Sequence, residues 1–220
     1  MSIAVLGHVP DPSIGVLRKQ AQAVGRELVV YAAHRGELPA PDAHEAWVVL
    51  GGAQSAHADR EMLQPEIDAI AGAVERETPL LAICLGSQLL AVATGGRVFP
   101  GDSGLEFGYI DVASVAEQPP SGRYLSFHSD SMEPPRGATV LARTDRYLQA
   151  WSHRSALAVQ FHPELDSAGF HAVLDAEEEK LTRFGVDVPA LRAEVAAEPP
   201  SPTPGERLIE TWLAGLPAAL

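Results

Sequence analysis

Short apolar runs alternate with amphipathic stretches through the first part of the chain. Residues 3–6 predict a strand that stops at Gly7, residues 14–24 a helix, and residues 28–32 a second strand. Trp47, Val48, Val49 and Leu50 run unbroken into Gly51-Gly52, the pattern of a strand buried on both faces. Met62, Ile67, Ile70 and Val74 fall at helical spacing, residues 80–83 are again strand-like, and residues 87–93 predict a helix closed by Gly95-Gly96. Strands separated by helical patterns call for crossover connections and hence a parallel sheet in an α/β protein.

Further along, the rhythm changes. Val98-Phe99 and residues 108–115, 138–142, 147–151 and 157–161 read as strands divided by turn residues, an antiparallel portion added to the same sheet system. Residues 168–196 are helix-rich, and the acidic run 175–179 within them reads as a solvated helical face. Pro199-Pro200-Ser201-Pro202-Thr203-Pro204 is a stiff linker. A helix over about residues 205–213 follows, with Ile209, Trp212 and Leu213 placed to dock it on the body. The expected organisation is one domain over residues 1–198, with a Pro-rich linker and a docked C-terminal helix over 199–220.

Composition narrows the function. With 220 residues, 46% of them hydrophobic, the chain can bury a full core. A net charge of −13 opposes sequence-independent nucleic-acid binding, which needs clustered Lys and Arg, and makes an anionic membrane surface a poor partner. No apolar run approaches the roughly 18 residues of a membrane span, and the N-terminus has neither the basic nor the apolar region of a signal peptide. Cys84 is the only cysteine, so no internal disulfide can form and a reducing cytoplasm is the expected setting.

That cysteine stands in Leu80-Leu81-Ala82-Ile83-Cys84-Leu85-Gly86-Ser87-Gln88, where a strand ends and a helix starts within one or two residues. Such a turn lifts a nucleophile out of the sheet edge, with small neighbours (Ala82, Gly86) to let it close. The N-terminus of the following helix favours negative charge and therefore the reactive thiolate. On this segment alone, an inert core cysteine and a nucleophile are equally good readings. The balance moves with Val159-Gln160-Phe161-His162-Pro163-Glu164. Pro163 keeps His162 extended, so Glu164, two residues on, can reach one imidazole nitrogen while the other meets the thiol. Nucleophile, base and orienting carboxylate are then all present. A third segment, Leu50-Gly51-Gly52-Ala53-Gln54, could bring a backbone amide at Gly52 to an oxyanion together with that of Leu85; alone it would read as an ordinary glycine turn.

These segments, in this order, resemble the class I (triad-type) glutamine amidotransferases. Glu106-Phe107-Gly108 and Phe127-His128-Ser129-Asp130 are similar to two further motifs of the family, and the helical tail resembles that of stand-alone members similar to the amidotransferase domain of GMP synthase. Ala53 stands where the family usually has proline, Ala82 where it usually has glycine, and Phe127 where it usually has tryptophan. The resemblance implies a flavodoxin-like three-layer sandwich with a mostly parallel central sheet, an added antiparallel portion and a C-terminal helical extension. It implies that Cys84 attacks the glutamine side-chain amide, that His162 serves as acid and base, and that Glu164 orients it. Gly52 and Leu85 would hold the oxyanion, and Gln54, Gln88, Ser129 and Asp130 the amino-acid end of the substrate. No metal or organic cofactor is implied.

Three functions remain open at this point: a glutaminase feeding ammonia to a separate synthase subunit, an independent hydrolase of a γ-glutamyl amide or peptide, and a silent binding protein of the same fold. His128 and Asp130 have no matching His or Cys cluster, so a local hydrogen-bonding role outweighs a metal site. His57 and Asp59 read as loop residues, His153 as part of a surface turn, and Trp47 and Trp151 as core. No dinucleotide or P-loop motif supports nucleotide binding.

Overall fold

A computed structural model describes residues 2–197 and 201–217. Pro199-Pro200 and the expected boundary at 198/199 lie outside the described residues. The chain runs β1 (Ser2–Gly7), α1 (Gly15–Ala23), β2 (Glu27–Ala32), β3 (Ala46–Val49), α2 (Arg60–Glu75), β4 (Leu80–Ile83), α3 (Leu85–Ala93), β5 (Arg97–Pro100), β6 (Glu106–Ser114), β7 (Gly122–His128), β8 (Asp130–Glu133), β9 (Thr139–Arg143), β10 (Leu148–His153), β11 (Ala156–Val159), α4 (Ser167–Arg183), α5 (Val188–Ala196) and α6 (Pro204–Ala214). Nine strands form one sheet in the order β2-β1-β3-β4-β11-β10-β9-β6-β7. The first five in that order pair in parallel, and the pairings from β11 through β10, β9 and β6 to β7 are antiparallel.

The period of two along each central strand sorts side chains onto two cores. Ile3, Val5, Val48, Leu81, Ile83 and Val159 face one side, where α1 and α6 cover them. Ala4, Leu6, Trp47, Val49, Leu80 and Ala82 face the other, under α2 and α3. These are the three layers expected, and Trp47 and Trp151 are both core. A third apolar cluster joins α4 and α5 to the outer face of β6 and β7 through Phe170, Leu174, Leu181, Leu191 and Leu125. The 175–179 acidic run is a solvated face, as expected, on which the exposed Asp175 and Glu178 both pair with Arg192 of α5.

Three features differ from the sequence expectation. Strands β7 and β8 were not foreseen. β7 carries three consecutive buried residues, Tyr124, Leu125 and Ser126, because it is covered on both faces, and this hides the alternation that marks a half-buried strand. β5 does not join the main sheet but pairs antiparallel with β8 in a separate ribbon. β11 ends at Val159, short of the expected 161, and Phe161 instead turns into the core and stacks on Tyr124 with ring centroids 3.9 Å apart.

The C-terminal helix α6 begins with a capping box between Thr203 and Glu206. It buries Leu208, Ile209 and Leu213 against the core that α1 also covers, with Trp212 partly buried beside them. Lys19 of α1 reaches Glu206 at 2.9 Å.

Helix α3 lies close against β3. A Cβ at Gly86 would fall 2.2 Å from the Val49 carbonyl oxygen, so only glycine lets the helix lie this near the strand. Gly86→Ala is expected to cost about 1–3 kcal/mol or more through backbone displacement. Gly72→Ala, within α2, would meet only the end of the flexible Arg76 side chain at 3.0 Å and should be neutral or stabilising by up to about 1 kcal/mol. Urea unfolding of the two variants measures the contrast.

Candidate active site

The turn from β4 to α3 is held at both ends of Cys84. Its amide donates to Val159 O of β11 at 2.8 Å, and its carbonyl accepts from Gln88 N at 3.2 Å and Ser87 Oγ at 2.7 Å. Between these anchors Cys84 takes φ 51°, ψ −110°, a conformation that a residue with a side chain rarely adopts, at a cost on the order of 1–3 kcal/mol. The surroundings hold that strain, and it stands the thiol at the base of a cleft rather than in the sheet. Cys84 Sγ lies 3.6 Å from the Phe127 carbonyl oxygen.

His162 comes to the thiol from the chain just beyond β11. Its amide donates to Leu125 O of β7 at 2.8 Å, an isolated bridge that draws the curled antiparallel end of the sheet back beside the parallel part. His162 Nδ1 is 2.8 Å from Glu164 Oε1, as the two-residue spacing predicted, although the segment is a bridge and turn rather than continuous strand. Burial alone would push the imidazole pKa down. The Glu164 carboxylate and the neighbouring Cys84 overcome this and hold it well above its ordinary value, so the imidazolium is the favoured form.

Opposite the thiol runs the Gly51-Gly52 strap. A Cβ on Gly51 would sit 2.8 Å from His162 Cε1 and 3.4 Å from Cys84 Cβ. One on Gly52 would meet His8 Cβ and Gln54 Oε1 at 2.6 Å and Leu85 Cδ2 at 2.8 Å. Glycine is therefore required twice, to let the strap lie between His8 on one side and the thiol and imidazole on the other. Leu50 O accepts from Gly86 N at 3.1 Å, tying the strap to the start of α3. Leu85, the first residue of that helix, has an amide with no partner inside the helix.

The cleft over these groups has a volume of about 510 Å³, and its lining includes Cys84, His162, Glu164, Gly52, Leu85, Gln54, Gln88, Ser129 and Asp130, the residues to which the family resemblance assigns roles in the reaction. The Asp130 carboxylate accepts from Ser55 Oγ at 2.7 Å, which joins the loop after the strap to the turn after β7. Gln88 Nε2 lies 3.3 Å from Gln160 Oε1. His128 behaves as a local hydrogen-bonding residue, Nδ1 donating to Asp130 O at 3.0 Å and Nε2 lying 3.1 Å from Glu106 Oε2. Burial would raise the Glu106 pKa, but hydrogen bonds from His128, Gln149 and Ser126 outweigh it and hold the carboxyl below its usual range. His57 is exposed, and Asp59 closes a turn by accepting from Ser55 N at 2.8 Å. Among the described residues no group of three or more His, Cys, Asp or Glu is arranged to hold a metal ion, and no helix is long and apolar enough to cross a membrane.

Two parts of the site were not read from the sequence. The outer wall of the cleft comes from α4 through Ala172, Val173, Ala176 and Lys180, with Phe184 just beyond its end. Behind the strap, buried His8 pairs with buried Glu66 of α2. Glu66 did leave a signal, because it falls on the apolar stripe Leu63, Ile67, Ile70, where a carboxylate requires a partner.

Known proteins share this fold. A Thermotoga maritima glutamine amidotransferase structure superposes with a TM-score of 0.83 at 24% identity, covering 97% of this chain and 94% of that one. A glutamine-hydrolyzing GMP synthase subunit of Haloquadratum walsbyi is 35% identical over 117 residues, 46% of this chain, and gamma-glutamyl peptidase 5 of Arabidopsis thaliana is 26% identical over 157 residues, 64% of this chain. The matches span 62% of the length of each of these two relatives. The pattern of the family described as glutamine amidotransferase class-I matches residues 16–177, and the protein belongs to that family.

Proposed function

We propose that this protein hydrolyses the side-chain amide of glutamine through a glutamyl thioester on Cys84 and passes the ammonia to a synthase subunit on a separate chain. The observation that carries the reading is the convergence of a strained-turn thiol, a largely buried imidazole beside it and a carboxylate on the far ring nitrogen that holds the imidazole pKa up, all at the base of one cleft.

In this reading the Cys84 thiolate attacks the amide carbon, forming the C–S bond as the carbonyl π electrons move onto oxygen. The Gly52 and Leu85 amides take up that negative charge, worth about 3–4 kcal/mol for one such donor. The intermediate collapses, the C–N bond breaks, and the His162 imidazolium proton goes to the departing nitrogen. His162, now neutral, takes a proton from water as the water oxygen attacks the thioester. Breaking the C–S bond releases glutamate and restores the thiolate–imidazolium pair. Glu164 keeps Nδ1 protonated and Nε2 aimed at the chemistry. Gln88, Gln54, Ser129 and Asp130 line the part of the cleft suited to the α-amino and α-carboxyl groups. A reducing cytoplasm would keep the thiol free. The naming of one relative as a GMP synthase subunit supports a synthase partner.

A second reading has its own observation. The cleft volume, about 510 Å³, lies in the range that holds drug-sized ligands, larger than glutamine, and its outer wall is apolar at Ala172, Val173, Ala176 and Phe184. A leaving amine larger than ammonia would fit there, making the protein a hydrolase of γ-glutamyl amides, which the name of the gamma-glutamyl peptidase relative also supports.

Cys84→Ala should lower amide hydrolysis by on the order of 10⁴-fold or more with an unchanged thermal midpoint, and full activity in that variant would overturn the mechanism. Incubating the enzyme with glutamine and with γ-glutamyl alkylamides, following ammonia and amine release, separates the two readings: faster turnover of glutamine supports the first, faster turnover of an alkylamide the second. Glu164→Gln removes the charge that holds the His162 pKa up and leaves the burial that pushes it down. The alkaline limb of kcat/KM, which reports loss of the imidazolium, should therefore move to lower pH, and an unmoved limb would sink the orienting role of Glu164.

A further inference from the structure

His8 and Glu66 are both buried, at 4% and 5% exposure, and neither lines the cleft over the thiol. His8 follows β1, and Glu66 projects from the apolar face of α2. Glu66 Oε1 and Oε2 both lie 3.0 Å from His8 Nε2, and His8 Nδ1 lies 3.1 Å from the Gly51 carbonyl oxygen. A carbonyl oxygen only accepts, so Nδ1 carries a hydrogen and donates it. A buried histidine and a buried glutamate that both belonged only to the core would be replaced without loss by apolar residues of the same size. Here one end of the pair is spent on the backbone of the strap.

That contact has a geometric consequence. The Gly51–Gly52 peptide is trans, and in a planar trans peptide the C=O and N–H point in opposite directions. Holding Gly51 O on His8 turns the Gly52 N–H away from His8, to the side of the strap where Cys84 and His162 lie. Two successive glycines, followed here by Ala53, have no side-chain reason to keep that peptide plane in one orientation.

We infer that the His8–Glu66 pair is a positioning device that locks the Gly51–Gly52 peptide with its N–H toward the oxyanion, His8 through the hydrogen bond and Glu66 by fixing the imidazole. The inference rests on the reading above in which Gly52 N–H stabilises the tetrahedral intermediate. It adds residues that touch neither substrate nor thiol but set the transition-state contact.

The test compares His8→Ala and His8→Asn with the parent on whichever amide the parent turns over. Asn can present a side-chain N–H close to the place of Nδ1. For His8→Ala, kcat should fall about 10²–10³-fold, the loss measured for a single oxyanion donor, while KM stays within about twofold. His8→Asn should recover most of kcat. Alkylation of Cys84 by iodoacetamide passes through no oxyanion, so its rate should be the same in all three proteins. Retention of kcat in His8→Ala overturns the inference, as does an alkylation rate that falls in step with kcat, which would mark general disruption of the site, or an Asn variant no better than Ala. A parent with no Cys84-dependent turnover would remove the functional reading and this inference together, whereas a parent that turns over beside an equally active His8→Ala removes the inference alone.

Discussion

The site depends on how closely α3 approaches the end of β3. The Gly86 amide bonds Leu50 O, and there is no space for a methyl group between Gly86 and the Val49 carbonyl. With the helix pressed there and Cys84 N fixed to β11, one residue must reverse the chain, and Cys84 does so at positive φ. Glycine would relax the turn but supply no thiol. The cost, on the order of 1–3 kcal/mol, is a small share of what two full apolar cores can supply and is held locally by four hydrogen bonds to the turn and its flanks.

The same approach positions the other partners. Because Leu50 is bound to α3, the glycine strap starts beside the thiol and has to pass between it and His8. Because β11 lies next to β4, the chain leaving β11 emerges next to the Cys84 thiol, and the bridge from His162 N to Leu125 O stops it there. Pro163 keeps His162 extended so that Glu164 returns to the same side. The parallel half of the sheet thus supplies the thiol and the strap, and the antiparallel half, through β7, stops the histidine and lines the cleft at Phe127.

Much of this could be read in the chain because burial on both faces leaves continuous apolar runs, as at Trp47 to Leu50 and Leu80 to Ile83, and because Gly-Gly, Cys-Leu-Gly and His-Pro-Glu each fall directly after such a run. What escaped was structure whose pattern is mixed for a physical reason. β7 buries Tyr124 in one core and Leu125 in another, with Ser126 between Leu125 and Phe127 bonded to Glu106, so it reads as neither alternating nor continuous. The departure of β5 into a ribbon with β8 depends on a pairing between distant segments that no local window contains. The α4 wall looked like an ordinary amphipathic helix because the small residues Ala172 and Ala176 carry no chemistry of their own.

Three histidines around the cleft are held by buried glutamates, and comparing them distinguishes reactivity from support. His8 gives Nδ1 to Gly51 O and Nε2 to Glu66. His128 gives Nδ1 to Asp130 O and Nε2 to Glu106. In both, one nitrogen fixes a loop carbonyl and the other is tied to a carboxylate, so neither ring has a nitrogen left for a substrate. His162 reverses the arrangement, with Nδ1 on Glu164 and the rest of the ring toward Cys84 instead of a backbone oxygen. A histidine with both nitrogens committed can set the shape of a site but cannot exchange a proton with a substrate, whereas one with a single committed nitrogen can do both. By that criterion His162 is the ring suited to carry a proton in the proposed reaction. The other two hydrogen-bond the strap and the turn after β7 on either side of it, which in the proposed reaction would keep the thiol, the oxyanion donors and the amino-acid end of the cleft in place while the proton moves.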